Sequence, residues 1–167
     1  MIKNARVLFP LFILCFTTIA LTQTPVEPTV IGDVFIVDPS QALKALPQEQ
    51  WEDVPKRTSM AHGGFFIEMS GEHSSYRIKA GANVEFVFKI GNPENVALYA
   101  FSLKKKKRLT EYSELLSNWG KRPIPGIPAE VVSYGQSSFK LVPKSPLAVG
   151  EYVISTGNKM FTFGIDQ

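Results

Sequence analysis

The stretch that decides the fold is Leu141-Val-Pro-Lys-Ser-Pro-Leu-Ala-Val-Gly-Glu-Tyr-Val-Ile-Ser-Thr-Gly-Asn-Lys-Met-Phe-Thr-Phe-Gly-Ile-Asp166. It reads as strand, corner, strand, turn, strand. Pro143 and Pro146 end one extended run, because proline cannot donate to a ladder. Gly150 is expected to let the backbone turn sharply before Tyr152 enters the next strand. Asn158 marks a tight turn, and Met160, Phe161 and Phe163 follow as a closing strand.

Outward from this ending the same grammar recurs. Val34-Phe-Ile-Val37 is β-branched and aromatic, a buried strand. Ala42 to Leu46 reads as a short return strand or one helical turn, with the stop at Pro47 favouring the strand, and Gln48 to His62, with Trp51 embedded, as a polar loop. Phe65 to Met69 follows Gly63-Gly64 as a strand. In Ser75 to Lys79, Tyr76 and Ile78 take one face and Arg77 and Lys79 the other. Val84, Phe86, Phe88 and Ile90 share one face of the cleanest period-two run. Tyr99, Phe101 and Leu103 do the same within Val96 to Leu103. Lys104-Lys-Lys-Lys-Arg108 straddles a hairpin tip, and Glu130 to Tyr134 and Ser138 to Val142 complete the set. About nine short strands with turn signals every 8–12 residues predict an all-β sandwich, and no segment keeps helical periodicity over three turns.

The chain has 167 residues, 18 Lys and Arg against 15 Asp and Glu, and one cysteine. Lys3 and Arg6 precede an apolar run from Val7 to Ala20 that is too short to span a bilayer comfortably. This reads as a signal peptide over 1–22, followed by an extended Thr- and Pro-rich entry segment over 23–33 and one β-domain over 34–167. The expected location is therefore periplasmic or secreted, with no transmembrane span once the signal is removed. Cys15 lies inside the apolar run, so the mature chain has no disulfide and no thiol nucleophile. Stability must come from an apolar core. Loss of Lys3 and Arg6 leaves 16 cations against 15 acids, a net of +1. That balance gives no footprint for nucleic acid.

The spacing Leu147-x-x-Gly-x-Tyr152 resembles the tyrosine corner of Greek-key, immunoglobulin-like sandwiches. There a buried Tyr hydroxyl bonds back to a carbonyl a few residues upstream. The ending Pro146-Leu-Ala-Val-Gly-Glu-Tyr152 with Phe161-Thr-Phe-Gly-Ile-Asp166 resembles those of uncharacterised bacterial exported proteins. So does Val34-Phe-Ile-Val-Asp38 with Leu46-Pro-Gln-Glu-Gln50, and so does Ser75-Tyr-Arg-Ile-Lys-Ala-Gly81 before a Phe-rich strand. The resemblance implies a small exported β-domain and carries over no catalytic residue.

Candidate chemistry is sparse. Met60, His62, Met69 and His73 suggest an exported copper carrier. A strand from Phe65 to Met69 would, however, hold the two histidines about 20 Å or more apart, so no metal is assigned. There is no Gly-x-Ser-x-Gly elbow, and neither histidine has a visible orienter, so no catalytic residue is assigned. Glu49, Glu52 and Asp53 beside Trp51 read as a solvated acidic loop rather than a glycosidase pair. Lys104, Lys105, Lys106, Lys107 and Arg108 form a basic patch. It either contacts an anionic partner or keeps an edge strand soluble. The long irregular segment 113–128 carries Trp119, Lys121, Arg122, Ile124 and Ile127, residue types favoured at interfaces; it either binds or caps the core.

The expected function is a non-catalytic binding or structural module of the bacterial envelope. It needs no cofactor, and another envelope protein or a glycan is its expected partner. The alternative is a small-ligand or glycan-binding sandwich that uses Trp51 or Trp119 as a stacking platform.

Overall fold

The computed structural model describes residues 25–38, 40–55, 65–112 and 126–167. The expected signal segment 1–22 lies outside the described residues. Among the described residues there are thirteen strands: β1 (Val34–Val37), β2 (Leu43–Ala45), β3 (Glu52–Pro55), β4 (Phe65–Ser70), β5 (Arg77–Lys79), β6 (Phe86–Phe88), β7 (Ala97–Ala100), β8 (Ser102–Lys104), β9 (Lys107–Tyr112), β10 (Ala129–Tyr134), β11 (Ser138–Pro143), β12 (Gly150–Ser155) and β13 (Met160–Asp166). The 3-10 turn Pro93–Asn95 is capped by the Asn92 side chain. The chain is all-β, as expected. The strand count exceeds nine in part because the run expected from Val96 to Leu103 divides into β7 and β8 at Phe101. In addition, β3 forms inside the stretch expected to be a loop.

The strands form three sheets, in the orders β10-β11-β6-β1-β2, β5-β13-β12-β7 and β3-β4-β9-β8. The β5–β13 ladder is parallel; every other named ladder is antiparallel. The first two sheets face each other as the expected sandwich. Val34, Ile36, Phe86, Phe88 and Leu141 from the first meet Leu98, Tyr152, Ile154, Phe161, Phe163 and Ile165 from the second. Phe163 sits at the centre, its ring 4.8 Å from Phe86 and 5.2 Å from Tyr152. A smaller cluster of Ile67, Met69, Tyr99, Val153 and Met160 joins the far face of the second sheet to the third. The β12–β13 hairpin therefore lies in a middle layer and is buried on both faces. That burial is what its near-continuous apolar composition reflects.

Two details of the closing stretch carry the architecture. The Tyr152 hydroxyl donates to the Ala148 carbonyl at 2.6 Å, which is the corner bond the spacing suggested. Gly150, by contrast, is not the pivot: it is a strand residue opposite Ile165. A methyl group there would meet the Tyr152 ring at an ordinary 3.8 Å. The bend is made upstream, through Ser145 to Val149, and Gly157 (φ +93°) makes the β12–β13 turn.

The entry segment is tied down at both ends. Glu27 accepts from the Gln136 and Ser137 amides and from the Ser137 and Ser138 hydroxyls at the β10–β11 turn. Asp33 takes the Lys159 ammonium at 2.9 Å. Among the described residues no helix is long and apolar enough to cross a membrane.

Candidate functional site

Three places gather polar or exposed groups: a buried seam on the far face of the middle sheet, a basic hairpin tip, and a groove between two sheet edges.

The seam starts at Glu151. β12 alternates, so Tyr152 and Ile154 enter the main core while Glu151, Val153 and Ser155 face the third sheet. Glu151 is buried, and its carboxylate accepts from the Ser74 amide at 2.8 Å, from His73 Nδ1 at 3.1 Å and from the Arg77 guanidinium. Asp166 clasps the other side of Arg77, with Nε to Oδ2 at 3.1 Å. Hydrogen bonds to Asp166 and then to Glu151 hold Arg77 more firmly charged than a free guanidinium, and the same contact holds Asp166 below the usual carboxylate range. The chain of contacts continues through Ser74 Oγ and Thr162 Oγ1, 2.7 Å apart, to Glu49 Oε1 at 2.5 Å. Glu49 in turn pairs with Arg108, which is 1% exposed. Arg108 also donates to the Ser70 and Gly71 carbonyls at 3.0 and 3.2 Å and lies 5.6 Å from the centre of the Phe101 ring. No buried side-chain polar atom among the described residues lacks a partner, which is the condition for burying charge at tolerable cost.

This arrangement corrects three expectations. Arg108 is not part of an exposed basic patch; it turns inward because β9 places it on the face opposite Lys107. Glu49 does not sit in a solvated acidic loop, since it neutralises Arg108. His73 does have an orienter. A carboxylate only accepts, so Nδ1 donates to Glu151, and the imidazole is otherwise largely exposed. Among the described residues Ser74, the nearest hydroxyl in sequence, is buried and bonded to Thr162, so it is not free to act as a nucleophile for this pair. Sequence reading missed Glu151 because one acid within an apolar strand looks solvent-facing. The available signal was its alternation with Tyr152, which puts it on the second interior.

The hairpin tip is formed as expected. Lys104 pairs with Lys107 across a two-residue turn at Lys105 and Lys106, which take φ of +51° and +62°. Lysine is a costly choice there, since glycine and asparagine enter the left-handed region far more readily. Lys107 is engaged by Glu68, which raises its pKa. Lys104, Lys105 and Lys106 are exposed, and so is Leu103.

The groove encloses about 610 Å³ along the β1–β2 edge of the first sheet, β5 at the edge of the second, and the 82–85 loop between them. Ile36, Tyr76, Ile78 and Val84 form its apolar floor. Asp38, Lys44, Lys79 and Glu85 stand on its rim. A second recess of about 320 Å³ lies on the other side of the same loop, against Val142 to Leu147.

The remaining predicted site residues divide as follows. Trp51 is half-buried against the second cluster with Ala97 and Phe101. Ile127 is partly buried against the main core, and its amide donates to the Leu98 carbonyl at 2.7 Å. Trp119, Lys121, Arg122 and Ile124 lie outside the described residues, as do Met60 and His62. Met69 is a core residue of the second cluster.

No protein-family model matches this chain, and no curated protein or solved structure matches it either. Any functional reading must therefore come from the geometry above.

Proposed function

We propose that the protein is a non-catalytic module of the bacterial envelope, exported and then periplasmic or secreted, that acts by binding a small ligand in the groove between β1–β2 and β5. One contrast carries this reading. The polar groups that converge on Glu151 and Glu49 are consumed by one another, whereas the groove is open, apolar at its floor and charged at its lip. Ligand pockets have that composition and a volume of roughly 300–1,000 Å³. The positive n-region and apolar run of residues 3–20 support export. The Tyr152–Ala148 bond supports the finer Greek-key, immunoglobulin-like assignment. The packed position of Trp51 favours a small ligand over a glycan stacked on that ring. The near-neutral mature charge disfavours nucleic acid.

The test is photo-crosslinking in the living cell, with a photoreactive side chain at Lys44 on the rim and, as control, at Lys105 on the hairpin tip. The expected result is an adduct specific to position 44 on a processed protein in the envelope fraction. Cytoplasmic retention, or adducts that do not distinguish the two positions, would reject the reading.

A further inference from the structure

The charges around the groove are not equivalent, and their difference selects a ligand. Asp38 accepts from Ser40 and from the Ala42 amide and is paired with Lys44 at 3.2 Å; these contacts hold it down to about 2. Glu85 is neutralised by Lys140 at 3.0 Å. Arg77 is committed to Glu151 and Asp166. Lys79, at the exposed end of β5, has no ion pair among the described residues, and it lines the same cavity as Ile36, Ile78 and Val84. An ammonium with no ion pair among the described residues, beside an open apolar trough, complements one kind of molecule, an apolar body with a single negative end.

We propose that the groove binds a single-chain alkyl carboxylate, its chain lying on Ile36, Ile78 and Val84 and its carboxylate on Lys79. A lone ammonium suits a monoanion. A phosphate would call for a guanidinium fork or a second cation, and Arg77, the guanidinium among the described lining residues, is already engaged on both sides. The inference rests on the groove being the binding seat and adds the chemical class of what it holds.

The experiment titrates the purified protein calorimetrically with octanoate, decanoate and decyltrimethylammonium, each below its micelle concentration. Burying a methylene is worth roughly fourfold in affinity, so decanoate should bind about 15-fold more tightly than octanoate. Lys79→Glu should weaken decanoate at least tenfold and leave the cationic probe unchanged or tighter. Lys79→Met, which keeps the apolar stem, should weaken it less than Lys79→Glu. The Lys79 side chain lies on an exposed strand end, so these variants should keep the wild-type circular dichroism spectrum. Equal binding of anion and cation, insensitivity to Lys79→Glu, or no decanoate binding at all would overturn the proposal. If the crosslink at Lys44 survives such a failure, the ligand class is wrong and the seat stands. If both fail, both readings fall.

Discussion

The two faces of the middle sheet are built from the same two strands and solve opposite problems. Toward the first sheet, β12 and β13 present Tyr152, Ile154, Phe161, Phe163 and Ile165, and burial there is nearly all apolar. Toward the third sheet, the same strands present Glu151, Ser155 and Thr162 among Val153 and Met160. The first face depends on area and fit, which are non-directional and survive conservative exchange. The second depends on directed bonds, each of which leaves a stranded group if one partner is removed. A two-residue period thus lets a single hairpin serve a greasy interior and a charged one.

The comparison can be broken from either side. The largest loss is expected from Phe163→Ala, which opens a cavity between Phe86 and Tyr152; denaturant unfolding should register about 3–5 kcal/mol. On the polar face, Arg108→Met should cost about 2–3 kcal/mol, since it strands a Glu49 carboxylate that retains some solvent. Adding Glu49→Gln should recover about half of that, whereas two independent sites would simply add. Gly164→Ala probes the seam differently. A methyl group there collides with the Arg77 guanidinium, so Arg77 must leave Glu151, at a cost of about 1–2 kcal/mol. An unchanged stability would mean that the Arg77 clasp is dispensable. Tyr152→Phe should cost about 1 kcal/mol by leaving the Ala148 carbonyl without its donor.

The smallest effect is expected away from both faces. The amides and hydroxyls around Glu27, led by the Gln136 amide, hold its carboxyl down to about 2 from an ordinary 4.5. Its contribution is complete above about pH 4.5 and is lost as pH falls toward 2. Glu27→Gln should therefore lower the neutral plateau slightly towards the acid-end stability, leave stability near pH 2 almost unmoved, and so flatten the acid limb of the stability–pH profile between pH 4.5 and 2. A profile unaltered in that window would show that the entry segment is not held by this carboxylate.

Much of the fold is legible because local periodicity and local chemistry agree. Val34 to Val37, Val84 to Ile90 and Met160 to Phe163 each announce a strand, and Tyr152 announces its own bond to Ala148 four residues upstream. The tip at Lys105 and Lys106 follows from charge beside a returning strand. The third layer is not legible in the same way. Period two states which residues share a face, but not whether that face meets water or a second interior. Glu151 and Thr162 therefore look solvent-facing until Ser74 and Arg77 donate to the first and Glu49, 113 residues before Thr162, accepts from the second. Trp51 and Ile127 look like binding residues for the same reason, as their apolar partners come from β7 and the main core. The groove was invisible in sequence, because its lining comes from three separate segments, 36–44, 76–79 and 82–85.

By itself, the order of apolar and polar side chains determined that this chain forms strands, where most of them turn, and that the last hairpin is more apolar than a surface hairpin would be. Those are near-neighbour properties, set by backbone geometry and side-chain period. Tertiary structure alone decided that the hairpin becomes a middle layer, that Arg108 and Glu49 are spent on each other, and that Lys79 has no ion pair among the described residues. Burial and charge compensation depend on which distant groups approach, and chain closure settles that over the whole domain rather than residue by residue.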